Sequence, residues 1–214
     1  CWLAVKELEA ALSELGLDPH NPTIAIGTTP LARAFLVPEA MSMMVAERFP
    51  ASFRVLEGNW GELVESLRDG VIDLIVGELP AEGVPDLQSI PFYTEAPIVV
   101  AGHQHALVGE ARPADRALAS FPWITAPGTS PLRAEWERLF PTSRPQVPVE
   151  CGSIMIIGRL LTSSDMLTLA MPDQVALQIR SGLLARIGEP LAGSMPTIGA
   201  TMRQSWRPTS GQRR

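Results

Sequence analysis

Small hydroxyl residues and glycines follow three β-rich runs of the sequence, at the points where a helical pattern begins. The three segments are Gly27-Thr28-Thr29-Pro30-Leu31, Pro127-Gly128-Thr129-Ser130 and Cys151-Gly152-Ser153. The first turn of a helix exposes unpaired backbone N–H groups and carries partial positive charge, which suits a carboxylate or a phosphate. These segments therefore predict a binding site for a small, anionic molecule.

Two further strand ends carry polar or aromatic side chains. Asn59-Trp60 follows the second β-rich run of the chain, and Gly77-Glu78 ends the third. We predict that the ligand is contacted by residues from all five segments: Thr28, Thr29, Pro30, Leu31, Asn59, Trp60, Glu78, Gly128, Thr129, Ser130, Gly152 and Ser153.

Structural roles compete with ligand binding at several of these positions. Thr28 or Thr29 could cap the following helix or bond to the backbone of its own turn. Trp60 could be a stacking surface for the ligand, or a core residue. Both interpretations stay open from the sequence alone.

The helices of the second half raise the same question. Ser130 or Thr129 is the candidate N-cap of one helix, and Ser153 is the candidate N-cap of the next. Arg133 could reach an anion, or it could pair with Glu137 one helical turn away.

The chain lacks the patterns that organise catalysis or nucleotide binding. It contains no G-x-x-x-x-G-K-[ST], G-x-G-x-x-G or G-x-S-x-G motif. His103 and His105 would share one face of a strand and could bind a metal, but no further ligand follows at useful spacing. Cys151 at a helix start could be a reactive thiol, yet no second cysteine lies near it in the sequence. We therefore expect no catalytic residue, no metal and no cofactor.

Composition excludes several other classes of protein. The 214 residues carry a net charge of -6, and the basic residues are scattered, so the chain has no basic stripe for a nucleic-acid backbone. No apolar run approaches the roughly 20 residues of a membrane span. Two cysteines in 214 residues favour the reducing cytoplasm.

The elements that must position these segments alternate between strand and helix. The spacing predicts strands over 23–27, 52–57 and 72–77, separated by helices over 31–49 and 60–69. This order predicts parallel strands joined by right-handed crossovers. The third strand is apolar on both faces, as is typical of a strand covered by helices on each side.

A second alternation of the same kind follows. The pattern predicts strands over 87–90, 98–102, 123–126, 147–150, 166–170 and 198–202, with helices over 131–140, 153–161 and 172–181. The duplication predicts an α/β fold with two Rossmann-like lobes and a ligand-binding cleft between them. Lobe I would comprise residues 21–98 and 198–214, and lobe II residues 99–197.

The sequence pattern of residues 2–15 predicts one more helix. Its leucines recur near the helical repeat, and Gly16 and Pro19 end it. Because this helix has one apolar stripe and no core of its own, it is either the end of a longer helix or a terminal helix packed on its own domain.

Residues 20–205 resemble the effector domain of LysR-type transcriptional regulators. The similar stretches are TIAIGTTPLARAFLVPEAMSMMVAERFP, FRVLEGNWGELVESLRDGVIDLIVGELP, PIVVAGHQHAL, VECGSIMIIGRLLTSSDMLTLAMPDQV and GLLARIG. The resemblance implies a fold like that of type II periplasmic binding proteins, with a small-molecule inducer bound in the cleft. It also implies a cytoplasmic homodimer or homotetramer, with residues 1–18 as the end of a linker helix. Promoter DNA would be bound only through an N-terminal helix-turn-helix that this chain does not contain.

The sequence departs from that family at three expected contact positions. Leu31 and Trp60 stand where many members carry serine or threonine, and Glu78 stands where a basic or neutral residue is common. The resemblance thus implies a smaller or more hydrophobic pocket than usual. The C-terminus also lacks the final amphipathic helix of the family.

Two other functions compete with a regulatory sensor. A free-standing solute-binding protein or lipoprotein of a transporter has a similar fold, and Cys1 is compatible with a lipoprotein. An enzyme on a related fold would need a nucleophile and a base, which the sequence does not provide. Fold alone does not separate these classes.

Overall fold

The computed structural model describes residues 23–192 and 197–206 of the chain. The predicted helix over residues 2–15, the proposed linker segment 1–18 and the C-terminal tail beyond residue 206 lie outside these described residues. The chain forms two compact units. It passes from the first to the second between Tyr93 and Thr94, and it is back in the first from Thr197 onward.

In its described residues, the first unit is a five-stranded sheet with two helices. Its elements are β1 (Thr23–Thr28), α1 (Leu36–Ala46), β2 (Ser52–Glu57), α2 (Trp60–Arg68), β3 (Leu74–Glu78), β4 (Leu87–Thr94) and β10 (Thr197–Arg203). The strand order is β2-β1-β3-β10-β4. β1 runs parallel to both β2 and β3, whereas β10 is antiparallel to β3.

Helix α1 is shorter than the predicted helix over 31–49. The cause is Pro38, which lacks a backbone N–H and is tolerated only in the first turn of a helix. A helix that began at Leu31 would place this proline in its interior. The chain therefore forms turns over residues 30–35, and α1 begins at Leu36.

Two buried polar side chains secure the core of the first unit. The Asp73 carboxylate accepts the backbone N–H of Ala25 at 2.8 Å. The Arg203 guanidinium donates to the carbonyl oxygens of Leu67 at 2.6 Å and Ile72 at 3.1 Å. Around them lies an apolar cluster of Ala25, Leu63, Val64, Leu67, Ile72 and Ile75. Arg203 thus ties β10 to the end of α2.

The second unit is also a five-stranded sheet. Its elements are β5 (Ile98–Gly102), α3 (Asp115–Ala119), β6 (Trp123–Thr125), α4 (Pro131–Leu139), β7 (Val149–Glu150), α5 (Ile154–Leu161), β8 (Leu167–Ala170), α6 (Pro172–Arg180) and β9 (Leu184–Ile187). The strand order is β7-β6-β8-β5-β9. β6 is parallel to β7 and β8, and β5 is antiparallel to β8 and β9.

Packing in the second unit combines an apolar core with an aromatic group. The core consists of Ile98, Val100, Ile124, Ile157, Leu161, Ala170, Val175 and Leu184. The ring centroids of Trp123 and Phe140 lie 5.2 Å apart, and those of Trp136 and Phe140 lie 5.6 Å apart, both in tilted or edge-to-face arrangements.

The predicted fold class is confirmed. Each unit contains a parallel trio of strands, β2-β1-β3 or β7-β6-β8, followed by an antiparallel strand. Two elements, α3 and β9, were not predicted from the sequence. Helix α3 has five residues, little more than one turn, and β9 (LARI) does not alternate between apolar and polar residues, so neither shows a recognisable period.

Gly102 allows the end of β5 to approach the end of α5. A Cβ atom at this position would collide with the carbonyl oxygen of Leu161 and lie 3.2 Å from its carbonyl carbon. Because the obstacle is backbone, it cannot rotate away. By contrast, a Cβ atom on Gly158, inside α5, would meet nothing within 4 Å.

We expect the two corresponding alanine variants to change stability in opposite directions. Gly102→Ala should lower the free energy of unfolding by about 1–3 kcal/mol through overpacking. Gly158→Ala should raise it by roughly 0.5–1 kcal/mol, because alanine is the better helix former. Urea denaturation followed by circular dichroism measures both. A Gly102→Ala variant as stable as the parent protein would show that the backbone approach is not tight.

Candidate functional site

The first unit brings a threonine, a glutamate and an arginine together at its strand ends. Thr28 ends β1 and is the register partner of Glu57, which ends β2. The carbonyl oxygen of Thr28 accepts the N–H of Gly58 at 3.3 Å. Arg33, in the turns after β1, donates to the Glu57 carboxylate at 2.8 Å. We call Thr28, Glu57 and Arg33 the first strand-end cluster.

Thr29, the residue after β1, links the end of β1 to β3. Its N–H donates to the carbonyl oxygen of Val76 at 3.2 Å, and its hydroxyl donates to the carboxylate of Glu78. The Thr29 side chain is fully buried and fills the space above Gly77, where a Cβ atom would lie 2.7 Å from the Thr29 methyl group. The only hydroxyl proton of Thr29 is therefore bound to Glu78.

Two of the remaining predicted contacts of the first unit, Asn59 and Trp60, also make structural contacts, and all four stay predicted ligand contacts. The Asn59 side chain accepts the N–H of Glu62, and the Glu62 side chain accepts the N–H of Asn59, both at 3.1 Å, which forms a capping box at the start of α2. Trp60 is half-buried and packs against the apolar cluster of the first unit. Leu31 is buried and Pro30 half-buried.

The second unit repeats the arrangement of the first. Thr125 ends β6 and is the register partner of Glu150, which ends β7. Arg133, in the first turn of α4, donates to Glu150 at 2.9 Å, to Thr125 at 3.3 Å and to Glu137 at 3.1 Å. Its guanidinium carbon also lies 5.6 Å from the ring centroid of Trp136. We call Thr125, Glu150 and Arg133 the second strand-end cluster.

The two clusters correspond contact by contact. In each, a strand-terminal threonine faces a strand-terminal glutamate on a parallel neighbour, and the residue after the glutamate donates its N–H to the threonine carbonyl oxygen. An arginine that follows the first strand then binds that glutamate. The sequence interpretation named Thr28 and Arg133 but missed Arg33, Glu57, Thr125 and Glu150. A shared pattern could have found the glutamates, since each ends a β-rich run and is followed within two residues by glycine.

The helix starts of the second unit differ in how they use their serines. The Ser130 hydroxyl caps α4 by accepting the N–H of Leu132 at 3.3 Å. Ser153 occupies the N-cap position of α5, but its side chain makes no capping hydrogen bond. The N–H of Ser153 instead donates to the sulfur of Cys151 at 3.3 Å. The Cys151 thiol packs against the apolar core.

The flanking predicted contacts lie at the surface of the second unit. Gly128, Thr129 and Gly152 are exposed, and Ser153 is half-buried. They surround the helix starts nearest the second strand-end cluster, so they remain predicted ligand contacts.

Carboxylates outnumber arginines at the two strand-end edges. Arg33 and Arg133 are half-buried at their side chains, whereas Glu57 and Glu150 are more than half exposed. Glu78 beside Thr29 and Glu137 beside Arg133 are two further carboxylates. An exposed carboxylate holds its arginine only weakly, because water screens the pair.

The two histidines after β5 do not share a face. The strand ends at Gly102, and the histidines lie in the following turn, with His103 exposed and His105 buried. Across the described ranges, no three His, Cys, Asp or Glu side chains meet in a way that could hold a metal ion.

None of the helices in residues 23–192 and 197–206 is both long and apolar enough to cross a membrane.

The two serines should respond differently to truncation. Ser130→Ala should lower the free energy of unfolding by about 1 kcal/mol, because α4 loses its N-cap. Ser153→Ala should leave it within roughly 0.5 kcal/mol, because no capping bond is lost. Urea denaturation of both variants tests this difference, and equal losses of stability would contradict it.

The sequence of the chain is similar to a known protein family and to named proteins. The model of the family described as LysR substrate binding domain matches residues 18–210. The HTH-type transcriptional regulator GalR of Pseudomonas putida is 28% identical over 184 residues, which cover 84% of this chain and 46% of the regulator. The chain thus spans about half the length of this curated relative.

Solved structures share the fold at low sequence identity. The regulatory domain of CcmR from Synechocystis PCC6803, in complex with 2-PG, superposes with a TM-score of 0.74 at 15% identity and covers 90% of this chain and 92% of that one. The effector binding domain of QuiR, in complex with shikimate, gives a TM-score of 0.70 at 14% identity, with the same coverage of 90% and 92%.

Proposed function

The chain belongs to the LysR substrate binding domain family, and on this premise we propose that it senses a small anionic metabolite for a transcriptional regulator and catalyses no reaction. Membership favours a regulatory sensor over the solute-binding protein of a transporter. The observation that carries the proposal is the family match over residues 18–210 together with the repeated strand-end clusters. The similar proteins of known name are regulators rather than enzymes.

Arg133 is the group best suited to bind a carboxylate of the effector. Its guanidinium lies at the carboxyl end of β6, beside the Ser130-capped start of α4. Arginine binds carboxylates through paired N–H groups, and the helix start adds favourable partial charge. The Glu150 side chain is more than half exposed, so an effector carboxylate can take its place on Arg133 while Glu137 keeps its own bond.

The carboxylate of Glu78 indicates which groups the first unit can bind. It accepts the hydroxyl of Thr29 and is only partly buried. A carboxylate can accept further hydrogen bonds, and a ligand hydroxyl is a donor that brings no repelling charge. Arg133, in the second unit, favours a carboxylic acid. Shikimate, bound to the QuiR domain, is a carboxylic acid that carries hydroxyl groups.

A ligand screen tests the class of effector. We expect carboxylic acids to raise the melting temperature of the 214-residue chain more than neutral sugars, because only an anion can form a charge-assisted bond with Arg133. Thermal-shift assays with shikimate as the first probe provide the measurement. If neutral sugars were the strongest stabilisers, the anionic effector would be excluded.

Substitution of Arg133 tests whether this residue binds the effector. Arg133→Gln should weaken binding of the best carboxylate from the screen by roughly tenfold or more, because a charge-assisted hydrogen bond is lost. Isothermal titration calorimetry measures the affinity. Arg138→Gln on the same helix is the matched control, since Arg138 is ion-paired with Glu135 at 2.7 Å but belongs to neither strand-end cluster. Equal affinity in the Arg133 and Arg138 variants would place the effector elsewhere.

We further propose that the whole protein is a homodimer or homotetramer that binds promoter DNA through a helix-turn-helix outside this chain. Exposed apolar side chains on two helices support self-association. On α1 they are Met43 and Val45, the latter 67% exposed, and on α5 they are Met155 and Ile156, the former 76% exposed. Exposed clusters of this kind commonly mark protein interfaces.

Charged substitutions on α5 test the oligomer. Met155→Glu combined with Ile156→Glu should shift the sedimentation coefficient toward that of a monomer, because carboxylates cannot be buried unpaired at an interface. Leu177→Glu is the control, since Leu177 is 70% exposed on a different helix. Sedimentation velocity gives the answer, and an unchanged oligomer in the double variant would exclude α5 from the interface.

A further inference from the structure

A concavity of about 430 Å³ opens in the second unit, where β5 and α5 end. Its size is within the range of small-molecule sites, which is roughly 300–1,000 Å³. Because β5 is antiparallel to β8, the end of β5 lies at the sheet edge where β6 and β8 begin. The concavity is therefore at the opposite edge of this sheet from the second strand-end cluster, and it is a separate site.

The rim formed by the end of α5 presents hydrogen-bond acceptors. The hydroxyl of Thr162 donates to the carbonyl oxygen of Arg159 at 2.9 Å, and that of Ser163 donates to the same oxygen at 3.0 Å. The Ser164 hydroxyl donates to the carbonyl oxygen of Leu160 at 2.7 Å. A hydroxyl has one proton, so in these bonds the oxygens of Thr162 and Ser163 are left to accept a hydrogen bond from a ligand. The Ser164 oxygen already accepts the N–H of Met166 at 3.4 Å.

Asp165 is the acidic side chain that lines this concavity, whereas Arg159, in the last turn of α5, is not part of the lining. The last carbonyl groups of a helix carry partial negative charge, and α5 ends at the rim. The exposed carboxylate of Asp165 follows three residues after the Thr162 C-cap and also lines the concavity. A ligand bound here must supply hydrogen-bond donors, and a positive charge is favoured over a negative one.

The opposite wall is held by His105. Its Nδ1 accepts the N–H of Leu107 at 3.1 Å, and its Nε2 lies 3.2 Å from the carbonyl oxygen of Asp165. A neutral ring with its proton on Nε2 satisfies both contacts. The ring also packs on Phe121, with centroids 4.4 Å apart. His105 thus fixes the Asp165 segment in place, and Phe121 adds an aromatic surface to the lining.

We propose that this concavity binds a small aliphatic amine in its ammonium form. The ammonium group donates to the hydroxyl oxygens of Thr162 and Ser163 and to the Asp165 carboxylate. The methylene chain lies against Phe121. An ammonium group has three donors and no acceptor, which matches a rim made of acceptors.

Calorimetry with the 214-residue chain tests the site, with putrescine as the probe. Titrations at about pH 8, where a primary amine is protonated, should show binding of putrescine. Butanediol, which has the same chain length without charge, and succinate, which has the opposite charge, should bind at least roughly tenfold more weakly. No detectable binding of putrescine, or equal binding of butanediol, would overturn the proposal.

Variants locate the bound amine. Asp165→Asn should weaken putrescine binding by roughly tenfold, and Ser163→Ala should weaken it by a smaller factor. Asp69→Asn is the matched control, since Asp69 is an exposed aspartate at the C-terminus of α2. Affinity that is unchanged in the Asp165 variant would overturn the site. Loss of putrescine binding in Arg133→Gln would place the amine at the strand-end cluster and overturn it as well, without affecting the test for the carboxylate effector.

Discussion

Parallel pairing between neighbouring strands determines which side chains meet at the functional edges of this protein. In a parallel pair, both strands end at the same edge, so the last residues of each are neighbours whatever their separation in sequence. This register places Thr28 beside Glu57 and Thr125 beside Glu150. The arginines that follow β1 and β6 then have a carboxylate within reach. Each cluster is thus a consequence of backbone hydrogen bonding rather than of side-chain attraction.

Hydrogen-bond polarity distinguishes the sites of the second unit from one another. At one edge of its sheet, Arg133 and the start of α4 present donors and positive charge. At the other edge, the end of α5 and Asp165 present acceptors and negative charge. The direction of the helices produces this division, because each helix has a positive start and a negative end. The two ligands that we propose for this unit therefore carry opposite charges and lie at opposite edges of one sheet.

Much of the fold could be predicted from the sequence, and the failures have local causes. Strands β2 and β5 have the predicted bounds, because both lie between clear turn residues. The helix after β1 was predicted too long, since the apolar pattern outweighed Pro38. Of the two missed elements, α3 is little more than one helical turn, and β9 has no alternation of apolar and polar residues.

The candidate site was predicted less completely than the fold. The strand-to-helix turns could be recognised from glycine and hydroxyl residues, and Ser130 proved to be the N-cap of its helix. The pairing of Arg33 with Glu57 could not be recognised from the sequence, because the proximity of these residues depends on strand register. Likewise, the sequence does not show that Thr29 donates its proton to Glu78. Residue type indicates what a side chain can do, whereas tertiary contacts decide which of its hydrogen bonds are already used.

The position of β10 affects the order in which the two units can be completed during translation. This strand lies between β3 and β4, and its Arg203 binds the carbonyl oxygens at the end of α2. The sheet of the first unit therefore lacks the strand between β3 and β4 until residues 197–203 have been translated. The second unit is encoded without interruption and has all of its strands earlier. During synthesis from the N-terminus, all strands of the second unit are therefore available before β10 of the first unit. Until β10 has been made, the edge of β3 that pairs with it stays unpaired.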